Sequence, residues 1–97
     1  MKPIIWDKEA LEALEKIYEY ISEDSVQNAN KVLDGIRKKT RELSIKPEKY
    51  PTDKYKSDNS GNFRAFELYR IRIAYYIGKK EIRIVRIRST YQEPLDY

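Results

Sequence analysis

Five arginines in the last third of the chain have the spacing that could do chemistry: Arg70 and Arg72, Arg86 and Arg88, with Arg64 ahead of both pairs. Alternate residues of an extended chain share a face, so each pair turns two guanidinium groups to one side. Neighbouring strands lie about 5 Å apart, and pairing these segments would concentrate the positive charge. Tyr76 and Tyr91 add aromatic surface. Guanidinium forks beside stacking rings suit single-stranded RNA. The same forks fit carboxylates two-pronged, so an acidic peptide is an equally valid ligand. Exposed sheet faces also carry arginine simply to discourage edge pairing. Several arginines with only Glu67 and Glu81 as near counter-charges favour binding over that plainer explanation.

The rest of the composition narrows the chemistry. The chain has no cysteine and no histidine. Disulfides, thiolate or imidazole metal sites, the Ser-His-Asp triad and the usual neutral-pH general base are therefore excluded. Lys, Arg, Tyr, Ser, Thr and carboxylates remain. No ligand cluster or phosphate-binding glycine loop is present, so no metal or organic cofactor is expected. Ninety-seven residues, 40% hydrophobic and 37% charged, make one domain (1–97). No apolar run approaches the roughly 20 residues of a membrane span. Pro3-Ile4-Ile5-Trp6 runs straight into Asp7-Lys8-Glu9, unlike a secretory signal, so a cytoplasmic protein with no membrane partner is expected. The net charge is +4, unevenly placed. Residues 1–45 carry 8 Lys+Arg against 9 Asp+Glu, and residues 46–97 carry 12 against 7. A one-sided basic surface suggests an anionic partner.

The elements that must position these arginines are legible from period. Residues 3–6 read as a short strand with Ile4 and Trp6 on one face. Asp7 suits a helix N-cap, and Ala10, Leu14, Ile17, Tyr18 and Ile21 form one stripe of a helix over about residues 8–23. Glu12, Glu15, Glu19 and Glu23 line a solvated side, with Glu12 and Lys16 a favourable pair. Asp24 with Gln27 resembles a capping box opening a second helix, whose seam is Val26, Ala29, Leu33, Ile36, Thr40 and Leu43. Gly35 lies inside that helix, and the helix must stop before Pro47. Residues 46–62 form a long loop in which Lys46, Lys49, Lys54 and Lys56 alternate with Tyr50 and Tyr55. From Phe63 the period becomes two: a strand over 63–68, another over 69–77, a Gly78-Lys79-Lys80 connection, and a last strand over 81–88. The last strand changes phase at Ile84-Val85, from a bulge or from burial on both faces. Residues 89–97 form an extended tail. The order β-α-α-β-β-β implies an α+β domain, a helical hairpin packed on a small antiparallel sheet. The face with Ile71, Ile73 and Tyr75 meets the helices and the opposite face carries the arginines. The last three strands form a meander and the N-terminal strand joins an edge.

Nearly the whole chain resembles the RelE/ParE superfamily of bacterial type II toxins. The cues are Ile5-Trp6-Asp7, Ile17-Tyr18-Glu19-Tyr20-Ile21 with Glu23-Asp24, Pro47-Glu48-Lys49-Tyr50-Pro51, Asn62-Phe63-Arg64-Ala65-Phe66-Glu67, Arg72-Ile73-Ala74-Tyr75, Arg86-Ile87-Arg88-Ser89-Thr90 and Gln92-Glu93-Pro94. The resemblance implies a growth-inhibiting toxin with a cognate antitoxin protein as partner. RelE-like members cut mRNA in the ribosomal A site, and ParE-like members act on DNA gyrase without a nuclease site. By the resemblance, Arg72 falls where RelE-like enzymes bind the reacting phosphate. Arg64, Arg88 and Tyr91 complete the implied catalytic set, and Lys54, Lys56, Arg70 and Arg86 the substrate-binding set. Many relatives have a histidine after the Arg-x-Arg; here it is Ser89, which cannot act as a base at neutral pH. A lysine or tyrosine of lowered pKa would have to replace it. The first reading is thus a metal-independent, ribosome-dependent mRNA endonuclease. The alternative is a ParE-like gyrase inhibitor, which the missing histidine and the long helices favour. A third is a non-toxic RNA- or peptide-binding module of the same fold.

Overall fold

The helical stripes and the alternating strands are found where the periodicity puts them. The computed structural model describes residues 1–92 and 95–97, so Glu93 and Pro94 of the tail motif lie outside the described residues. The order is β1 (Ile4–Trp6), α1 (Lys8–Asp24), α2 (Val26–Glu42), β2 (Phe63–Leu68), β3 (Ile71–Ile77) and β4 (Ile82–Ser89). The sheet runs β1-β4-β3-β2. β2, β3 and β4 form the expected antiparallel meander. β1 joins the edge beside β4, but parallel to it, so the sheet is mixed rather than antiparallel throughout. Two helices lie between β1 and the meander in sequence. That crossover is long enough to return the chain in the parallel sense.

Ala10 and Leu14 of α1, Ile36 of α2, and Leu43 just beyond it meet Phe66, Ile71, Ile73, Tyr75, Ile82, Ile84 and Ile87 of the sheet in one buried core. Tyr75 is wholly buried, and its hydroxyl donates to the Pro47 carbonyl oxygen at 2.5 Å. The second helix is capped by Ser25, not by Asp24: its hydroxyl accepts from the Asn28 amide at 3.1 Å. Val26 stands exposed outside the seam. Asp7 caps α1 by position only, because its carboxylate is drawn to Arg83 at 2.6 Å. Glu12 sits 4.0 Å from Lys8 rather than pairing with Lys16.

Two backbone irregularities decide where the arginines go. The first is a bulge in β4. Ala74 faces Arg86 and Tyr75 faces Ile84, which leaves Val85 as the extra residue. Without it, Ile82 and Ile84 facing the core would bring Arg86 and Arg88 in after them. With it, Ile87 enters the core, and Arg86 and Arg88 turn outward beside Arg72.

The second is the β2–β3 connection. Tyr69 and Arg70 are not strand residues but a two-residue turn, with φ of 53° and 61°. Positive φ at both central positions is the type I′ pattern, which prefers Asn-Gly. A left-handed backbone costs a non-glycine residue on the order of 1–2 kcal/mol. Tyr69 is held against α2 where Gly35 makes room: a Cβ on Gly35 would lie 2.8 Å from the Tyr69 Cε2. Arg70→Gly is therefore expected to stabilise the fold by about 1 kcal/mol. Urea unfolding would show a higher midpoint at unchanged slope. An unchanged or lower midpoint would mean that the turn holds no such strain.

Candidate functional site

The outer sheet face is roofed by the long loop and the tail. The loop hydrogen-bonds along the edge of β2: the Asp53 amide donates to the Phe63 carbonyl at 2.8 Å and the Ala65 amide to that of Pro51 at 3.2 Å. Asn59 ties the far side of the loop, accepting from the Gly61 and Phe63 amides through Oδ1. At the tail, the Tyr97 amide donates to Tyr55 at 2.9 Å and the Ser57 amide to Tyr97 at 2.7 Å. The loop is thus a packed layer rather than a tether.

This roof buries one carboxylate. Asp53 is 3% exposed. Its Oδ1 accepts from Arg72 Nη2 at 2.8 Å and from the Tyr55 amide at 3.1 Å, and its Oδ2 from the Tyr97 hydroxyl at 2.5 Å. Arg72 Nη1 donates to Glu67 Oε2 at 3.1 Å, and the guanidinium lies 4.8 Å over the Tyr55 ring. Its Nε is buried with no hydrogen-bond partner among the described residues. Burial pushes the Asp53 carboxyl up, but donation from Arg72, Tyr97 and the Tyr55 amide, with the Arg72 charge, outweighs it and leaves the carboxyl below its usual value. Burial raises the Tyr97 phenol, and the neighbouring carboxylate raises it further.

The expected site residues are only partly together. Arg72, Arg86 and Arg88 line one cleft with Asp53, Tyr55, Glu67 and Ser89. Arg86 donates to the Leu95 carbonyl at 2.6 Å and stacks 4.4 Å over Tyr97. Burial, then Arg88, lowers its pKa. Arg64 is elsewhere. It pairs across strands with core-facing Tyr75, so it projects to the opposite face from Arg72. There its Nη1 donates to the Tyr50 carbonyl at 2.7 Å and its Nε to that of Gly61 at 3.2 Å. Arg70 stands on the turn, 5.4 Å over the ring of Tyr91. Lys54 lies over Tyr55, and Lys56 lies over Phe63 and Tyr97 while donating to the Tyr97 carbonyl. Ser89 Oγ accepts from the Tyr91 amide at 3.2 Å.

Asp53 and Tyr97 are the central residues that sequence reasoning missed. An aspartate between two lysine-bearing stretches of a loop gives no sign of burial. Its partners are 19 and 44 residues away.

Such an arrangement spends much of its hydrogen-bonding capacity on its own parts. The central guanidinium already faces two carboxylates, so of the three arginines lining the cleft Arg72 has its own charge offset, and the excess that remains is a single positive charge. The tyrosines whose titration is displaced move away from base function: Tyr75 is pushed up to about 12 by burial, and Tyr97 is raised too. Among the described residues, no three His, Cys, Asp or Glu side chains gather to hold a metal ion, and no helix is long and apolar enough to cross a membrane.

Comparisons with known proteins agree with one another. Residues 4–94 match the family described as the ParE toxin of the type II toxin–antitoxin system, parDE. Among solved structures, a chain of the chromosomal ParDE TA system from P. aeruginosa is similar in fold, with a TM-score of 0.72. It is 22% identical in sequence, over 92% of this chain and 96% of that one. A search of curated proteins returned no match.

Removing the guanidinium should leave Asp53 buried and unpaired. Arg72→Ala is expected to cost about 3 kcal/mol or more. Glu67→Gln, on a half-exposed partner, should cost at most about 1 kcal/mol. Equal losses in urea unfolding would contradict the central place of Asp53. The depressed Asp53 pKa contributes stability that is fully present above the unfolded value of about 4 and is lost as pH falls through the lower folded value. An acid titration of wild type against Asp53→Asn should show this loss only in wild type. Parallel curves would count against it.

Proposed function

The chain belongs to the ParE toxin family of type II toxin–antitoxin systems, and from that premise we propose that it arrests growth by binding DNA gyrase rather than by cutting mRNA. As the toxin of such a system it has a cognate antitoxin for a partner. The observation that carries the gyrase reading is the occupied state of Arg72. In an RNA-cutting site this guanidinium would have to take the reacting phosphate. Here Nη2 and Nη1 donate to Asp53 and Glu67. A phosphate would have to displace both carboxylates or sit beside two negative charges. Negative charge developing on the phosphate would then meet two carboxylates as well as Arg86 and Arg88, and Arg72 would have little left to offer it.

The proton transfers fare no better. Cleavage by the 2′-hydroxyl needs one group to take its proton and another to protonate the leaving oxygen. Ser89 stands where relatives have histidine, and it is engaged with the Tyr91 amide. Tyr97 keeps its proton beside Asp53. Arg64 lies on the other side of the sheet from Arg72, so the implied catalytic set is not assembled around one phosphate. A toxin that acts by occupying a protein surface needs none of these groups. It needs a stable scaffold and an exposed contact. The basic half of the chain suits an acidic antitoxin segment, with no cofactor required. A gyrase target places the action in the cytoplasm.

The test uses two assays on one preparation. Gyrase supercoiling of relaxed plasmid should fall as the protein is titrated in. Primer extension on a reporter mRNA in a purified translation reaction should show full-length message. Ribosome-dependent cuts within codons would overturn the reading if they vanish in the Asp53→Asn/Arg72→Gln variant, which removes both members of the ion pair together.

A further inference from the structure

The β2–β3 turn keeps a strained backbone at two exposed residues, of which Tyr69 packs on α2 and Arg70 does not. Tyr69 and Arg70 both hold positive φ. Tyr69 is 46% exposed, Arg70 is exposed, and Tyr91, on which Arg70 stacks, is 78% exposed. Strain retained in exposed side chains marks a surface whose geometry matters to something outside the molecule.

The tip is also set in place. The Tyr69 ring lies on α2 at Gly35, where any Cβ would come within 2.8 Å of it. The Arg70 carbonyl accepts from the Thr90 amide at 2.8 Å, which fastens the turn to the segment carrying Tyr91. Two phenol rings and a guanidinium therefore share one preset end of the sheet. Tyrosine and arginine dominate the few residues that carry binding energy at protein interfaces. A preset geometry lowers the ordering cost of association.

The chemistry of the occupant follows from the arginines. Arg64 and Arg86 donate to backbone carbonyls, and Arg72 and Arg83 each meet two carboxylates. The Arg70 guanidinium lies over the Tyr91 ring and makes no hydrogen bond or ion pair among the described residues. Its five donors still await a planar acceptor, and a carboxylate fits them two-pronged.

We propose that the Tyr69–Arg70 turn with Tyr91 is the contact through which this toxin grips its protein target, receiving a carboxylate-bearing segment of that target. This deepens the gyrase reading and rests on it only for the target's identity. A segment that folds as it binds can adapt its own shape to the toxin, whereas an already folded partner gains from a preset tip, which is the reason the target is preferred to the antitoxin.

The test separates target from antitoxin. Arg70→Gly relieves the backbone, so lost function in it cannot be blamed on unfolding. Arg70→Glu and Tyr91→Ala complete the set. Each should weaken gyrase inhibition about thirtyfold, the effect of a hot-spot residue. Arg70→Lys should fall between. Each should also abolish growth arrest on induced expression, while antitoxin affinity by calorimetry stays within about twofold of wild type. Undiminished growth arrest in Arg70→Gly would overturn the proposal, as would a matching loss of antitoxin affinity, which would make the tip an antitoxin contact. If wild type leaves gyrase untouched yet arrests growth, the gyrase reading fails. The tip is then still judged by whether Arg70→Gly abolishes the arrest.

Discussion

A single buried carboxylate organises the half of the molecule that the core does not. Asp53 is drawn from water by the loop crossing the edge of β2. An isolated buried charge costs several kcal/mol, so the surrounding chain must supply partners. It supplies three: a strand guanidinium, a tail phenol and a loop amide. They come from three separate segments, a strand, the loop and the tail, and the carboxylate joins them on the outer face. Arg72 is held down by Asp53 and Glu67 together, and its neighbour Arg86 is braced by the tail. Without those counter-charges the guanidinium groups of adjacent strands would repel one another across about 5 Å.

The bulge at Val85 is the geometric condition for this electrostatic one. It lets a single strand deliver Ile82, Ile84 and Ile87 to the core and Arg86 and Arg88 to the other side. A strictly alternating strand could not do both. Buried hydrophobic area and the charge cluster are thus linked by one extra residue.

Much of this was legible in the sequence, and the gaps have physical causes. The helices and strands announced themselves because each buries one face, and burial imposes a period of 3.6 or 2. The phase change at Ile84-Val85 is legible for the same reason, although it fits burial on both faces as well as the bulge that the strand has. The turn at Tyr69-Arg70 left no trace. A two-residue connection preserves the alternation on either side of it, and neither residue is one of those that favour positive φ. Arg64 was misassigned to the arginine face because residue type outweighed register. Phe63 and Phe66 flank it on opposite sides of the sheet, so its phase could not be read from the pattern. Asp53 was invisible for a deeper reason. Its partners are made by tertiary packing, and no local pattern records a charge pair 19 residues apart.

The fold hosts both cutters of RNA and binders of protein, so fold cannot separate them. The surroundings of Arg72 are what bear on the choice. A guanidinium meant for a phosphate needs donors free to face it, and a cationic face kept so is a standing cost to stability. Once no phosphate has to be received, carboxylates can settle on that guanidinium and turn the face into a second packed layer. Asp53, Glu67 and Tyr97 are in that position here. Relief of this kind would be expected wherever function no longer forbids it. The tip at Tyr69-Arg70 has not been relieved, although glycine or asparagine would suffice. Within one small domain, the arginine face is thus tied to the loop and the tail by its own ion pairs and hydrogen bonds. The strained end has no such set of ties: Tyr69 and Arg70 keep positive φ on an exposed tip.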